Sequence, residues 1–312
     1  MLAQLQQENP EDVRLVFRDF PLISIHDKAA LAAQAATAAG EQGKFWEMHD
    51  LLFAKQNEWS SFTPVAFGEW ILEKAEFIGL DKEQFTSDLT REDIVKRVND
   101  SWENGKSIGL LYTPFILING QIYNGPLDYG NLSKIVSLLA ISERQYKSCP
   151  PIVIDPAKQY VARIITEKGE IVIELFADKT PNTVNNFVFL AQDGWFNNTT
   201  FHRVIEGIVA QTGDPTSTGI GNPGYYIDNE IHPSLKYDKP GMVGMANSGP
   251  NTNGSQFFIT MVPAPTLDGG YTLFGQVISG MEVLSMLTPR DPQTGSNIPP
   301  GDKIITVTIE ER

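Results

Sequence analysis

The sequence predicts a multidomain protein with an N-terminal α/β domain and a C-terminal all-β domain that contains two helices. Its 312 residues correspond to about two domains at roughly 150 residues each. Prolines at positions 150, 151 and 156 favour an extended connection, and the hydrophobic period changes across it from about 3.6 to about 2. We therefore expect domains at 1–141 and 160–312, joined by a proline-containing linker at 142–159.

Charge and composition exclude several classes of function. The net charge is −14, with 21 acidic against 14 basic residues in 1–150 and 17 against 10 in 151–312. Both halves would repel phosphates, so nucleic acid is not an expected partner. No apolar run approaches the 18 or more residues of a membrane span, which argues against membrane insertion. A single cysteine, Cys149, disfavours a thiol-disulfide oxidoreductase, and the four histidines lack metal-ligand spacing, so we expect no metal or cofactor.

The N-terminal half combines helices with short strands. Apolar residues recur on one face over 44–55 and again over 128–140, which predicts two helices. Residues 13–17 (VRLVF) have the composition of a strand. Residues 115–118 and 121–123 flank Asn119-Gly120, a dipeptide typical of a two-residue hairpin turn.

The C-terminal half reads as an all-β domain with two inserted helices. Residues 161–165 and 171–175 predict an opening hairpin, and Thr180-Pro181 predicts the N-cap and first residue of a helix that ends before Gly194. We expect a second short helix at 281–287 and a closing strand at 304–309, in a barrel or sandwich.

Two segments of this half resemble the signatures of a known family. They are 201–214 (FHRVIEGIVAQTGD) and 245–259 (MANSGPNTNGSQFFI), followed in order by 267–269 (LDG) and 274–275 (FG). Together they resemble the cyclophilin family of peptidyl-prolyl cis-trans isomerases over residues 160–311. The resemblance implies a closed β-barrel with two helices. It also implies acceleration of rotation about Xaa-Pro bonds in protein folding, with unfolded or proline-containing polypeptides as partners.

Carried over by position, the resemblance makes Arg203 and Gln211 the catalytic pair. It implies substrate-binding roles for Ile208, Val209, Ala246, Asn247, Gln256, Phe258, Leu267 and Tyr271. Three positions depart from the best-known members, because Ile208 replaces a phenylalanine, Thr266 a tryptophan and Tyr271 a histidine. The expected pocket is therefore apolar but less aromatic. Nothing in such a mechanism requires the neighbouring His202, which we interpret as structural.

The first half resembles the DsbA-like branch of the thioredoxin superfamily, over residues 1 to about 141. The segments are 13–21 (VRLVFRDFP), 42–49 (QGKFWEMH) and 111–114 (LYTP) with 118–120 (ING). The resemblance implies a thioredoxin-like α/β fold with a cis-proline at Thr113-Pro114, but the first strand and the CxxC of that family are absent. We expect either a fragment of a longer, exported protein or a sheet that closes differently, and family precedent favours an extracytoplasmic location.

The leading interpretation is thus a prolyl isomerase with a thioredoxin-like companion domain. The alternative is a non-catalytic proline-binding or chaperone-like module that uses the same pocket without turnover. A thiol-disulfide oxidoreductase is disfavoured because only one cysteine is present.

Overall fold

The computed structural model describes residues 1–294 and 298–312 and divides them into two compact units. One unit is Leu15–Gly125, and the other combines Met1–Arg14 with Pro126–Arg312. The domain bounds predicted from the sequence stay a prediction.

In chain order the elements are α1 (Leu2–Glu8), α2 (Ala29–Gly40), α3 (Phe45–Ala54), α4 (Gln56–Trp59), α5 (Pro64–Phe77), α6 (Lys82–Leu89), α7 (Glu92–Ser107), β1 (Ile116–Ile118), β2 (Gln121–Tyr123), α8 (Tyr129–Ala140), β3 (Tyr160–Thr166), β4 (Gly169–Leu175), α9 (Pro181–Gln192), β5 (Arg203–Ile205), β6 (Val209–Thr212), β7 (Met242–Met245), β8 (Phe257–Thr260), β9 (Leu273–Ser279), α10 (Met281–Ser285) and β10 (Ile304–Glu311).

The unit Leu15–Gly125 is built around the alanine-rich helix α2. Its small side chains allow close approach, and α3, α5, α6 and α7 all pack against it. Ala35, Ala38 and Ala39 are fully buried there. The helix predicted at 44–55 is α3, and the predicted hairpin is β1–β2, whose turn residues Asn119 and Gly120 both have positive φ.

The strand predicted at residues 13–17 is wrong. This segment carries no strand assignment, and β1 and β2 form a two-stranded sheet of their own. A strand exists only when a neighbour completes its hydrogen-bond ladder. Among the described residues no strand pairs with this segment. The peptide bond between Thr113 and Pro114 is cis, as the thioredoxin resemblance implied.

The other unit contains one antiparallel sheet of eight strands in the order β10-β3-β4-β9-β7-β8-β6-β5. The predicted opening hairpin is β3–β4, the predicted short helix is α10, and the closing strand is β10. The sheet curls, and an isolated bridge between Thr200 and Lys303 joins the segments that lead into its two edge strands. This arrangement is a curled half-barrel, and full closure of the barrel stays a prediction.

Aromatic side chains fill the core of this unit. Phe187 of α9 lies 5.1 Å from Phe196 and 5.3 Å from both Phe257 and Phe274, measured between ring centroids. All four side chains are almost completely buried. They fix α9 against the face of β8 that Phe257 occupies, and the next residue, Phe258, projects from the other face.

The N-terminus of α9 is capped differently from the prediction. Thr180 does occupy the N-cap position, but its hydroxyl donates to the Phe176 carbonyl and makes no capping bond. The Glu230 carboxylate accepts from the backbone N–H groups of Asn182 and Thr183 instead, at 3.0 and 2.6 Å. A carboxylate from a distant loop satisfies the free N–H groups more strongly than a hydroxyl would, because it also opposes the positive end of the helix dipole.

The segment after α8 packs onto the same unit. The helix predicted at 128–140 is α8, with the Asp128 side chain as its N-cap. Ile141 and Ile154 are buried in the core of the unit, and the Asn185 amide bonds the backbone of Val153 and Pro151. In residues 1–294 and 298–312, every helix is too short or too polar to span a lipid bilayer.

Candidate active site

Strand register brings the two predicted catalytic residues into line with the predicted pocket wall. Arg203 on β5 is paired with Gln211 on β6, and Gln211 is in turn paired with Phe258 on β8. Residues directly opposite each other in antiparallel strands project from the same face of the sheet. Arg203, Gln211 and Phe258 therefore form one row, with a cation at one end and an aromatic ring at the other.

The arginine is partly exposed and has one described ionic contact. Its side chain is 30% exposed, and its Nε lies 3.4 Å from Oδ1 of Asp291. Asp291 was not predicted from the sequence. The only local signal is an acidic residue between Arg290 and Pro292, and nothing in that pattern indicates proximity to Arg203.

The glutamine of the row takes part in a chain of amides. Nε2 of Gln211 donates to Oε1 of Gln256 at 3.0 Å, and Nε2 of Gln256 donates to the Gly221 carbonyl at 3.0 Å. The resemblance implied that Gln211 supports Arg203. The two residues are cross-strand neighbours, while the described side-chain hydrogen bond of Gln211 goes to Gln256.

An apolar cluster forms the other end of the site. Phe258 is 5% exposed, and its ring lies 5.8 Å from Tyr237 in a stacked arrangement and 5.6 Å from Tyr271 edge-on. The predicted pocket residues Val209, Ala246 and Leu267 pack against the same cluster. Five of the predicted residues are thus brought together, and Tyr237 is an addition that sequence reasoning missed.

Ile208 and Asn247 lie at the border of this cluster. Ile208 is 52% exposed at the turn between β5 and β6. The Asn247 side chain donates to the Gly270 carbonyl at 3.2 Å and accepts from the Gly249 N–H at 3.2 Å, so it ties its own loop to the segment that precedes β9. Within residues 1–294 and 298–312, no hydrogen bond uses the backbone N–H or C=O of Asn247, which leaves both groups available to a peptide.

His202 is buried directly beside the row. Burial penalises its charged form and lowers its pKa to about 4, against an attraction from Asp214 that acts in the opposite direction. The ring is therefore neutral at neutral pH, as suits the structural role that we assigned to it. Among the described residues there is no group of three or more His, Cys, Asp or Glu side chains that could hold a metal ion.

Comparison with known proteins finds a family model that matches each region. The model of the cyclophilin type peptidyl-prolyl cis-trans isomerases matches residues 161–309, and a thioredoxin family model matches residues 2–137. A protein named peptidyl-prolyl cis-trans isomerase-like 1, from Aspergillus fumigatus, is 51% identical over 125 residues, which cover 39% of this chain and 78% of that protein. Its namesake from Aspergillus niger is 45% identical over 149 residues, which cover 47% of this chain and 92% of that protein.

Among solved structures, a cyclophilin type isomerase of Cryptosporidium parvum, crystallised in the presence of the dipeptide Ala-Pro, has 42% identity and a TM-score of 0.45. That match covers 48% of this chain and 98% of the other.

The fold and the family models define a multidomain protein in which a thioredoxin-like region precedes an isomerase-type β domain. Through that second domain, the chain belongs to the cyclophilin family of peptidyl-prolyl cis-trans isomerases.

Proposed function

We propose that the cyclophilin-like domain, residues 161–309, catalyses cis-trans isomerisation of Xaa-Pro bonds in unfolded or proline-containing polypeptides. The observation that carries this proposal is the row Arg203–Gln211–Phe258, in which a permanent cation faces an apolar cluster along one side of the sheet. In such a row the apolar end can hold the proline ring, and the long side chain of the arginine can reach the ring nitrogen.

The chemistry required is the weakening of a partial double bond. Resonance across an Xaa-Pro amide gives a rotation barrier of roughly 18–20 kcal/mol, and uncatalysed exchange takes tens to hundreds of seconds. A donor that hydrogen-bonds the prolyl nitrogen localises its lone pair and lowers the barrier. The Arg203 guanidinium suits this role because it is always charged and its N–H directions are fixed.

We expect the backbone of the substrate and its proline ring to bind to different parts of the site. The unpaired backbone groups of Asn247 would pair with the peptide, and the proline ring would lie against Phe258, Val209 and Leu267. Burying the ring there excludes water from the amide and strengthens the electrostatic effect of Arg203. No nucleophile, proton donor or metal is needed for bond rotation.

Arg203 alone can supply only part of the reduction in the rotation barrier. A 10⁵-fold acceleration needs about 7 kcal/mol off the barrier. One preorganised donor aimed at developing charge typically contributes about 2.7–4 kcal/mol. Desolvation and preferential binding of the twisted amide must therefore supply the rest.

The replaced aromatic positions bear on the alternative of a binding module without turnover. Thr266, which replaces a tryptophan, and Ile208, which replaces a phenylalanine, are both exposed, so this pocket offers less aromatic surface. Weaker apolar contact with the proline ring would lower the affinity for the peptide and would leave the chemistry at Arg203 unchanged. The intact row therefore supports catalysis over binding alone.

A protease-coupled isomerisation assay on an Xaa-Pro peptide tests the proposal. We expect turnover by the full chain, and a loss of at least tenfold in Arg203→Ala with peptide binding retained. Arg163→Ala is the matched control, because that guanidinium lies on β3 against Glu170 and Glu310. Binding of proline peptides with no turnover by the unmodified chain would favour the alternative.

A further inference from the structure

Arg203 lies at a place where its side chain needs support. It begins β5, a strand of three residues at the edge of the sheet. Arginine has a long side chain with several rotatable bonds, and holding it in one rotamer costs up to about 2 kcal/mol of conformational entropy. A donor that must point at one nitrogen works best when that orientation exists before the substrate binds.

The segment that contains Asp291 is bonded directly to β5. The Val204 N–H donates to the Arg290 carbonyl at 2.7 Å, and the Arg290 N–H donates to the Val204 carbonyl at 2.9 Å. This reciprocal pair lies one residue from both Arg203 and Asp291. This backbone pairing therefore places Arg203 and Asp291 opposite each other, so that their side chains start from neighbouring positions.

The carboxylate is itself restrained. Oδ1 of Asp291 accepts from the Gln293 N–H at 3.1 Å, and the Asp291 carbonyl accepts from the Thr294 hydroxyl at 2.8 Å. The Asp291 side chain is 22% exposed. The first bond restrains the carboxylate through the same oxygen that contacts Nε of Arg203, and the second restrains the backbone that carries it.

The contact also leaves the working end of the guanidinium free. Asp291 contacts Nε, at 3.4 Å, and within the described part of the chain neither Nη group has a hydrogen-bond partner. A carboxylate on Nε fixes the plane of the guanidinium, because the group is rigid and flat. Both Nη groups are then left to donate to a bound substrate.

We propose that Asp291 is a positioning residue for isomerisation, which holds the Arg203 guanidinium in the plane that presents its Nη donors to the prolyl nitrogen. This inference rests on the proposed function, since it assigns to Asp291 a role in the reaction that Arg203 carries. Asp291 does not itself touch the substrate.

Steady-state kinetics on an Xaa-Pro peptide test the inference, with Asp291→Ala and Asp291→Asn compared in the full chain. We expect Asp291→Ala to lower kcat by about five- to twentyfold while KM changes less than twofold. We expect Asp291→Asn to keep at least half of the activity, because its amide oxygen still accepts from Nε. Glu310→Ala is the matched control, since it removes a carboxylate 3.5 Å from another arginine, Arg163, on the opposite edge of the sheet.

A spectroscopic measurement separates positioning from general stability. The ¹⁵N–¹H resonance of Arg203 Nε, assigned by its absence in Arg203→Ala, should move in Asp291→Ala and keep its position in Glu310→Ala. Unchanged kcat in Asp291→Ala would overturn the inference. So would equal losses in both Asp291 variants together with lowered melting temperatures and an unmoved Nε resonance.

The two proposals fail in different ways. No turnover by the unmodified chain would overturn the proposed function, and with it the role of Asp291 in the reaction. Turnover by the unmodified chain that Asp291→Ala fully retains would overturn only the positioning role.

Discussion

Gly244 on β7 lies directly opposite Phe258 on β8, and the absence of a side chain at Gly244 makes room for the pocket wall. A Cβ at this position would come within 2.6 Å of the Phe258 ring and would also overlap the Tyr237 hydroxyl. The stacked pair of Tyr237 and Phe258 therefore depends on a glycine two strands from Gln211. Here packing, not backbone conformation, requires the glycine.

We expect Gly244→Ala to destabilise the cyclophilin-like domain and to weaken peptide binding. Overpacking a core typically costs about 1–3 kcal/mol, and the added methyl group must displace Phe258 or Tyr237. Urea unfolding and peptide titration measure the two effects. Gly270→Ala is the control, because a Cβ there meets only the Leu267 carbonyl, at 3.8 Å. Wild-type stability in Gly244→Ala would show that the two rings can shift freely.

We expect Glu230→Ala to lower the free energy of unfolding by about 1–2 kcal/mol, because it removes the cap of α9. The carboxylate accepts two backbone N–H bonds and one from the Thr183 hydroxyl, at 2.6 Å. Glu230→Gln should lose less, since its amide oxygen still accepts. Removal of the exposed carboxylate of Asp238 serves as the control in the same urea titration. Equal stability of Glu230→Ala and Asp238→Ala would contradict the capping role.

Tyr146 anchors the segment that precedes the cyclophilin-like domain. Its N–H donates to the Pro223 carbonyl at 2.8 Å, and its ring lies 5.2 Å from Phe189 and 5.8 Å from Trp195. The hydroxyl bonds Asp193, and burial together with that carboxylate raises the pKa of Tyr146.

We expect Tyr146→Ala to cost about 2–4 kcal/mol through lost ring contacts. It should also speed proteolytic cleavage near Arg144 and Lys147, because the segment loses its attachment. Tyr226→Ala, which removes a ring that is 53% exposed, is the control. Cleavage at the wild-type rate in Tyr146→Ala would mean that the remaining contacts of the segment suffice to hold it.

The lowered pKa of His202 predicts that the free energy of unfolding depends on pH in a defined range. Its folded pKa of about 4 lies below the ordinary value of 6.5, so the unfolded state binds its proton first as pH falls. Its contribution to stability is thus complete above about pH 6.5 and is lost between pH 6.5 and 4. The slope is at most about 1.4 kcal/mol per pH unit.

The difference in unfolding free energy between wild type and His202→Gln isolates this contribution. It should fall as pH is lowered through that window, while other groups, such as the partly buried Asp19, whose pKa desolvation raises to about 6, cancel in the subtraction. A pH-independent difference for His202→Gln would mean that the buried ring does not resist protonation.

The elements that the sequence predicted correctly are those with a local cause. Helices α3 and α8 follow from apolar residues three and four apart, the β1–β2 hairpin from Asn119-Gly120, and the β3–β4 hairpin from alternation. The strand predicted at residues 13–17 failed because a ladder partner cannot be read from the segment itself. Thr180 occupies the predicted N-cap position, but a carboxylate 50 positions away, at Glu230, supplies the capping hydrogen bonds instead of its hydroxyl.

By itself, the sequence determined the family and the positions of the residues proposed for its site, since both depend on residue identity in contiguous motifs. Only the tertiary structure decided which of those residues share a face. The row Arg203–Gln211–Phe258 arises from the register of three strands, and the contact of Asp291 with Arg203 spans 88 positions of the chain. Pairings at such separations are set by how the whole core packs, and no local pattern of polarity records them.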